Sequence, residues 1–136
     1  MLFYSQLFTF SFSSMTRHLI SSPEAMQAFG ASLAKTHPII LLTGDLGAGK
    51  TTFAKGFAQA LGINPSQVQS PTYTYLNSYD NLLLHIDMYR LEDFHQVVEK
   101  GILDQMNAYD YVLIERPKRI EQLPFTTYIH LTIKKT

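Results

Sequence analysis

The sequence predicts an α/β fold, with helices on both faces of a mixed sheet that has a parallel centre and one β-hairpin. Three observations carry this. The apolar run Ile39-Ile40-Leu41-Leu42 leads straight into a glycine-rich stretch that begins at Gly44. A second apolar run, Tyr111-Val112-Leu113-Ile114, ends on the acid Glu115. Segments with helical spacing alternate with these runs, and short unbroken apolar runs are the mark of parallel strands covered on both faces.

Taken in order, residues 1–14 (MLFYSQLFTFSFSS) stand apart: apolar, uncharged, and followed by a second methionine, Met15. They lack the basic start of a secretory leader and are too short and interrupted to span a bilayer. They read as an N-terminal extension that does not belong to the domain, with Met15 as the truer start, or else as a short N-terminal strand. Residues 15–136 read as one domain. A helix opens at Ser21-Ser22-Pro23-Glu24, where a hydroxyl cap, an early proline and an early acid coincide. Ala25, Met26, Phe29, Leu33 and Ala34 continue it at helical spacing, and Pro38 stops it. The strand Ile39–Leu42 follows. A second helix spans Lys50 to Leu61, with Gly62 as its terminating glycine. Thr72–Tyr79 alternates aromatic and polar residues, Leu82–Ile86 is apolar, and Asp80-Asn81 between them predicts a tight hairpin turn. A helix is expected from Glu92 to about Lys100, ended by Gly101. The strand Tyr111–Ile114 and a last strand from Thr127 to Ile133 complete the chain.

Composition narrows the function classes. The chain has 136 residues, 46% hydrophobic and 16% charged, which is globular and sufficient for one core. Eleven basic and eleven acidic residues cancel. Direct grip on nucleic acid usually requires a basic excess, so contact with RNA is expected only through a partner. The absence of cysteine excludes disulfides, thiolate metal sites and a cysteine nucleophile.

The chemistry concentrates in Gly44-Asp45-Leu46-Gly47-Ala48-Gly49-Lys50-Thr51, a complete G-x-x-x-x-G-K-[ST] match lying between a predicted strand and a predicted helix. Its glycines allow successive N–H groups to turn inward around the α- and β-phosphates of ATP or ADP. Lys50 reaches the β/γ oxygens, the Thr51 hydroxyl binds Mg²⁺, and Thr52 lies in the same first helical turn. The fold expectation is therefore a P-loop NTPase-like three-layer sandwich. Glu115, at the end of its strand, is the candidate acid for the Mg²⁺ shell. Asp87, after Leu82–Ile86, is a second carboxylate, able to orient an attacking water, to meet Mg²⁺ through water, or to pair with Arg90. Its neighbour His85 is expected to be a packed, hydrogen-bonded residue. Ser70-Pro71-Thr72-Tyr73 offers a hydroxyl that senses the γ-phosphate. Arg90, Arg116, Lys118 and Arg119 are possible phosphate or partner contacts.

The loop continued through Thr52-Phe53, with Ser70-Pro71-Thr72-Tyr73, then His85-Ile86-Asp87-Met88-Tyr89-Arg90-Leu91, then Ile114-Glu115, resembles the TsaE (YjeE) family from about Ser21 onward. The resemblance implies a cytoplasmic, Mg²⁺-dependent ATPase, weak alone, that works with TsaD- and TsaB-type proteins. Those proteins install threonylcarbamoyl on adenosine 37 of tRNA, and ATP hydrolysis is expected to reset their complex between rounds. Carried over by position, Lys50 and the loop hold phosphates, Thr51 and Glu115 serve Mg²⁺, Thr72 lies in a switch, and Asp87 lies at a catalytic or partner-facing edge. One departure stands out. The family usually has Trp-Pro and an acid after Ile-Glu, and this chain has Arg116-Pro117-Lys118. The alternatives are a P-loop small-molecule kinase, for which few residues remain to build an acceptor pocket and lid, and a nucleotide-binding module without hydrolysis.

Overall fold

The computed structural model describes residues 3–9, 12–45, 47, 49–71, 75–91 and 93–135, with side chains between 16 and 134 of those spans. Its centre is a seven-stranded sheet in the order β2-β1-β7-β3-β6-β5-β4. The strands are β1 (Phe3–Thr9), β2 (Phe12–Ile20), β3 (Ile39–Gly44), β4 (Leu76–Tyr79), β5 (Leu83–Asp87), β6 (Tyr111–Glu115) and β7 (Ile129–Lys135). The four central strands β7, β3, β6 and β5 pair in parallel, while β4 on one side and β1–β2 on the other are antiparallel. The expected parallel centre is present, and residues 3–9 and 12–20 add a two-stranded ribbon beside it.

Helices α1 (Pro23–Ala34) and α2 (Lys50–Ala60) cover one face, and α3 (Phe94–Glu99) and α4 (Ile102–Ala108) the other. Alternate residues of the central strands feed the two cores: Ile40, Leu42, Leu83 and Leu113 pack toward Phe53 and Phe57, and Leu41, Leu84, Ile86, Val112 and Ile114 toward Val97, Ile102 and Met106. This two-sided burial is why the strands read as unbroken apolar runs. The result is the expected three-layer α/β sandwich.

Local signals account for most boundaries. The Ser22 hydroxyl accepts the Ala25 N–H at 3.1 Å to cap α1. That helix ends at Ala34 with Lys35 as its C-cap, ahead of Pro38. Gly62, at φ 82°, follows the C-cap of α2. The Asp80-Asn81 turn has both residues left-handed, at φ 55° and 53°, as a two-residue hairpin requires. One expectation needs correction. The alternating stretch from Thr72 does not yield a strand along its whole length: 72–74 lie outside the described residues, Tyr75 is left-handed at φ 57°, and β4 begins only at Leu76. The helix expected to end at Gly101 does so, with Lys100 as the C-cap of α3, and Gly101, at φ 70°, is also the N-cap of the unforeseen α4, whose Ile102 and Met106 lie one helical turn apart and are buried. The expected helix start at Glu92 is outside the described residues, and Asp93 caps α3 by accepting the Gln96 N–H at 3.1 Å.

Candidate nucleotide site

The carboxyl ends of β3, β5 and β6 lie side by side, with Leu42 paired to Glu115 and Asp87 paired to Glu115 across parallel ladders. Such ends are where open α/β sheets bind ligands. The loop between β3 and α2 rises from this edge. Gly47 and Gly49 take left-handed backbones at φ 80° and 110°, which side-chain-bearing residues rarely adopt. Gly49 is also the N-cap of α2, and no side chain caps that helix. In α1 the Ser22 hydroxyl accepts from one of the first amide groups; Gly49 has no side chain to do the same for α2, and such a helix start, with its dipole, suits an anion. Leu46 and Ala48 lie outside the described residues, as does Thr72.

A cleft of about 230 Å³ opens at this point, lined by Gly47, Gly49, Lys50, Thr51, Thr52, Ser70, Glu115 and Arg116. Five of these residues belong to the glycine-rich loop, and the fold brings Ser70, Glu115 and Arg116 to it from distant stretches of the sequence. Lys50 is buried, and its ammonium donates to the carbonyls of Gly44 and Asp45, the latter at 3.1 Å. Burial pushes its pKa below the usual lysine value. Glu115, Asp87 and Asp45 pull it back up, while the Arg116 charge adds to the depression.

Glu115 is 1% exposed and bonds to His85, with 2.6 Å between Oε2 and Nε2. His85 is completely buried, as its place on an apolar strand suggested, and its Nδ1 has no partner among the described residues. What sequence reading missed is that its partner is the candidate Mg²⁺ acid. The pairing follows from the β5–β6 register, which local sequence does not announce.

Asp87, also 1% exposed, has its oxygens directed elsewhere. Oδ1 accepts the Tyr89 N–H at 2.9 Å and the Arg116 Nε–H at 3.1 Å, while Oδ2 accepts from Arg116 Nη2. The guanidinium also lies 4.3 Å from the centre of the Tyr89 ring. The sequence offered Arg90 as the pairing cation; the one that forks onto Asp87 is Arg116.

The donors suit Mg²⁺ bound together with a nucleotide. Thr51 and Glu115 supply hard oxygen ligands on one cleft, and no group of three His, Asp or Glu side chains forms a metal cage among the described residues. Mg²⁺ commonly takes one or two protein ligands and completes its shell with phosphate and water. No helix among the described residues is long and apolar enough to cross a membrane.

Comparison with known proteins gives the family. The family model described as threonylcarbamoyl adenosine biosynthesis protein TsaE matches residues 20–136. The chain is 49% identical over 79 residues to the tRNA threonylcarbamoyladenosine biosynthesis protein TsaE of Aquifex aeolicus, covering 54% of this chain and 59% of that protein. The Bacillus subtilis protein of the same description is 41% identical over 110 residues, covering 76% and 68%. The chain thus spans roughly three-fifths to two-thirds of the length of these relatives. A crystal structure of YdiB from Bacillus subtilis superposes with a TM-score of 0.63 at 27% identity, over 97% of this chain and 78% of that one. With the glycine-rich loop, the acid-tipped parallel strands and a family match that runs to the last residue, the chain belongs to the TsaE family.

Proposed function

We propose that this chain is an ATP-binding and ATP-hydrolysing subunit of the machinery that places threonylcarbamoyl on adenosine 37 of tRNA. The observation that carries the reading is the single cleft into which the uncapped start of α2, Lys50, Thr51 and Glu115 all face. Loop amides and Lys50 hold the phosphates of ATP or ADP, and Thr51 with Glu115 holds Mg²⁺. When bound, Mg²⁺ supplies positive charge that offsets the charge on the phosphate oxygens. His85 fixes the orientation of Glu115 through their buried bond. Ser70, exposed at the cleft rim, leads into the segment that contains Thr72, the candidate sensor of the terminal phosphate. In this reading the protein acts in the cytoplasm with TsaD- and TsaB-type partners, and tRNA is met only through them. The balanced charge of the chain supports that division.

The engagement of Asp87 by Arg116 supports a second reading, a module that binds nucleotide without turning it over, because both carboxylate oxygens are directed to the guanidinium and a backbone N–H rather than to an attacking water. Measuring ATP hydrolysis by the purified chain, alone and with the TsaD–TsaB pair, separates the two. Turnover that rises when the pair is added is expected. Tight ATP binding with no turnover in either case establishes the second reading instead.

A further inference from the structure

Arg116 follows Glu115 directly, where β6 ends, and its backbone is left-handed at φ 51°. That conformation is unfavourable for a residue with a β-carbon, and it is held by the Arg116 N–H donating to Leu42 O at 2.8 Å. The chain therefore turns sharply over the carboxyl ends of β3 and β6. The side chain is held on two sides. One edge of the guanidinium forks onto buried Asp87 and one face lies against Tyr89, a tyrosine that is 60% exposed. The same side chain lines the phosphate cleft beside Lys50 and Thr51, and also the neighbouring cleft formed by Thr43, Gly44 and Asp45.

A pair made only to neutralise Asp87 has no need to line the cleft where phosphates are expected. A planar cation fixed by a carboxylate and an aromatic ring is, by contrast, a preorganised phosphate contact, since its delocalised charge already lines the cleft and little side-chain entropy is left to lose. The lysine of such a loop reaches the β/γ end of a bound nucleotide, and Arg116 lines the same cleft as Lys50. We propose that Arg116 contacts the γ-phosphate of a nucleoside triphosphate, and that Asp87 and Tyr89 are the positioning residues that aim it. This rests on the nucleotide reading of the cleft and assigns Asp87 a role within it: an anchor for the guanidinium rather than a base toward water.

The test is equilibrium binding of ATP and of ADP, each with Mg²⁺, to the full chain by calorimetry, with melting curves of the nucleotide-free proteins alongside. Arg116→Ala should weaken ATP binding at least about tenfold, the loss of a charge-assisted contact, and change ADP binding much less. Arg116→Lys should recover only part of the difference, because it keeps the charge and loses the fork. Tyr89→Ala touches the guanidinium from the exposed side and should weaken ATP selectively while the apo protein melts as wild type does. That second variant decides the matter if Arg116→Ala, which orphans a buried carboxylate, fails to fold; ATP affinity unchanged in Tyr89→Ala then overturns the proposal. Equal losses for ATP and ADP overturn the γ-phosphate assignment. Wild-type affinities in a folded Arg116→Ala protein overturn the proposal alone, leaving Arg116 as the counterion of Asp87. A wild-type chain that binds neither nucleotide removes the nucleotide reading and the proposal together.

Discussion

Lys50 holds an ammonium where burial disfavours charge, supported by two loop carbonyls. Its folded pKa lies below its unfolded value, so between those values the unfolded chain binds more protons and stability rises with pH. At neutral pH the charged side chain is therefore a liability to the apo fold. Lys50→Met, of similar length and uncharged, should lose nucleotide binding yet melt at or above the wild-type temperature without nucleotide; a lower melting point would show that the lysine is structural. His130 on β7 gives the opposite limb. It is joined to Thr43, with 2.8 Å between Nε2 and Oγ1, and burial lowers its pKa. The folded state then resists protonation that the unfolded state accepts near pH 6.5. This contribution is complete above about pH 6.5 and is lost as pH falls below it. His130→Gln should flatten the fall in urea midpoint between about pH 7 and 5; an unchanged slope would assign the acid limb to other groups.

Among elements, α1 and α2 meet through glycines. A β-carbon on Gly56 would lie 2.0 Å from the Gln27 carbonyl oxygen, and one on Gly30 would lie 2.3 Å from that of Phe53. Backbone cannot yield as a side-chain tip can, so the helices must part. Gly56→Ala should destabilise by about 1–3 kcal/mol and, because α2 begins at the phosphate loop, weaken nucleotide binding too. Chemical denaturation and calorimetry of the same variant check both, and a stability equal to wild type would deny the close approach. The same scale explains what the sequence could convey. The loop, the Asp80-Asn81 turn and the Ser22 cap are local backbone problems solved by residues in place, so they were legible, as were the acids that end β5 and β6. The His85–Glu115 and Asp87–Arg116 pairs join residues 30 and 29 positions apart, and exist only because β5 and β6 align in one register. No window of sequence holds that information. Helix α4 was missed because Gly101, which usually signals an end, serves here also as a beginning.

For the molecule as a whole, β1 covers the outer edge of β7 along seven paired residues, from Phe3 with Lys135 to Thr9 with Ile129. An uncovered strand edge offers free amide and carbonyl groups to another chain. Removing residues 1–11 should therefore make the chain associate more as concentration rises than the intact chain does, measured by sedimentation of the two. A truncated chain that stays monomeric with an unaltered melting curve would mean that β1 protects nothing.

The position of β7 has one more consequence. It is the last strand in the chain, yet in the sheet it stands between β1 and β3, and β3 leads into the phosphate loop. Everything from β1 to α4 can leave the ribosome before the strand that joins the two ends of the sheet exists. During synthesis β3 lacks its neighbour on that side, and the joining contacts span almost the whole chain, which makes them slow to form. Until β7 is made the sheet stays in two parts with unpaired strand edges, the state in which association with other chains is most favoured.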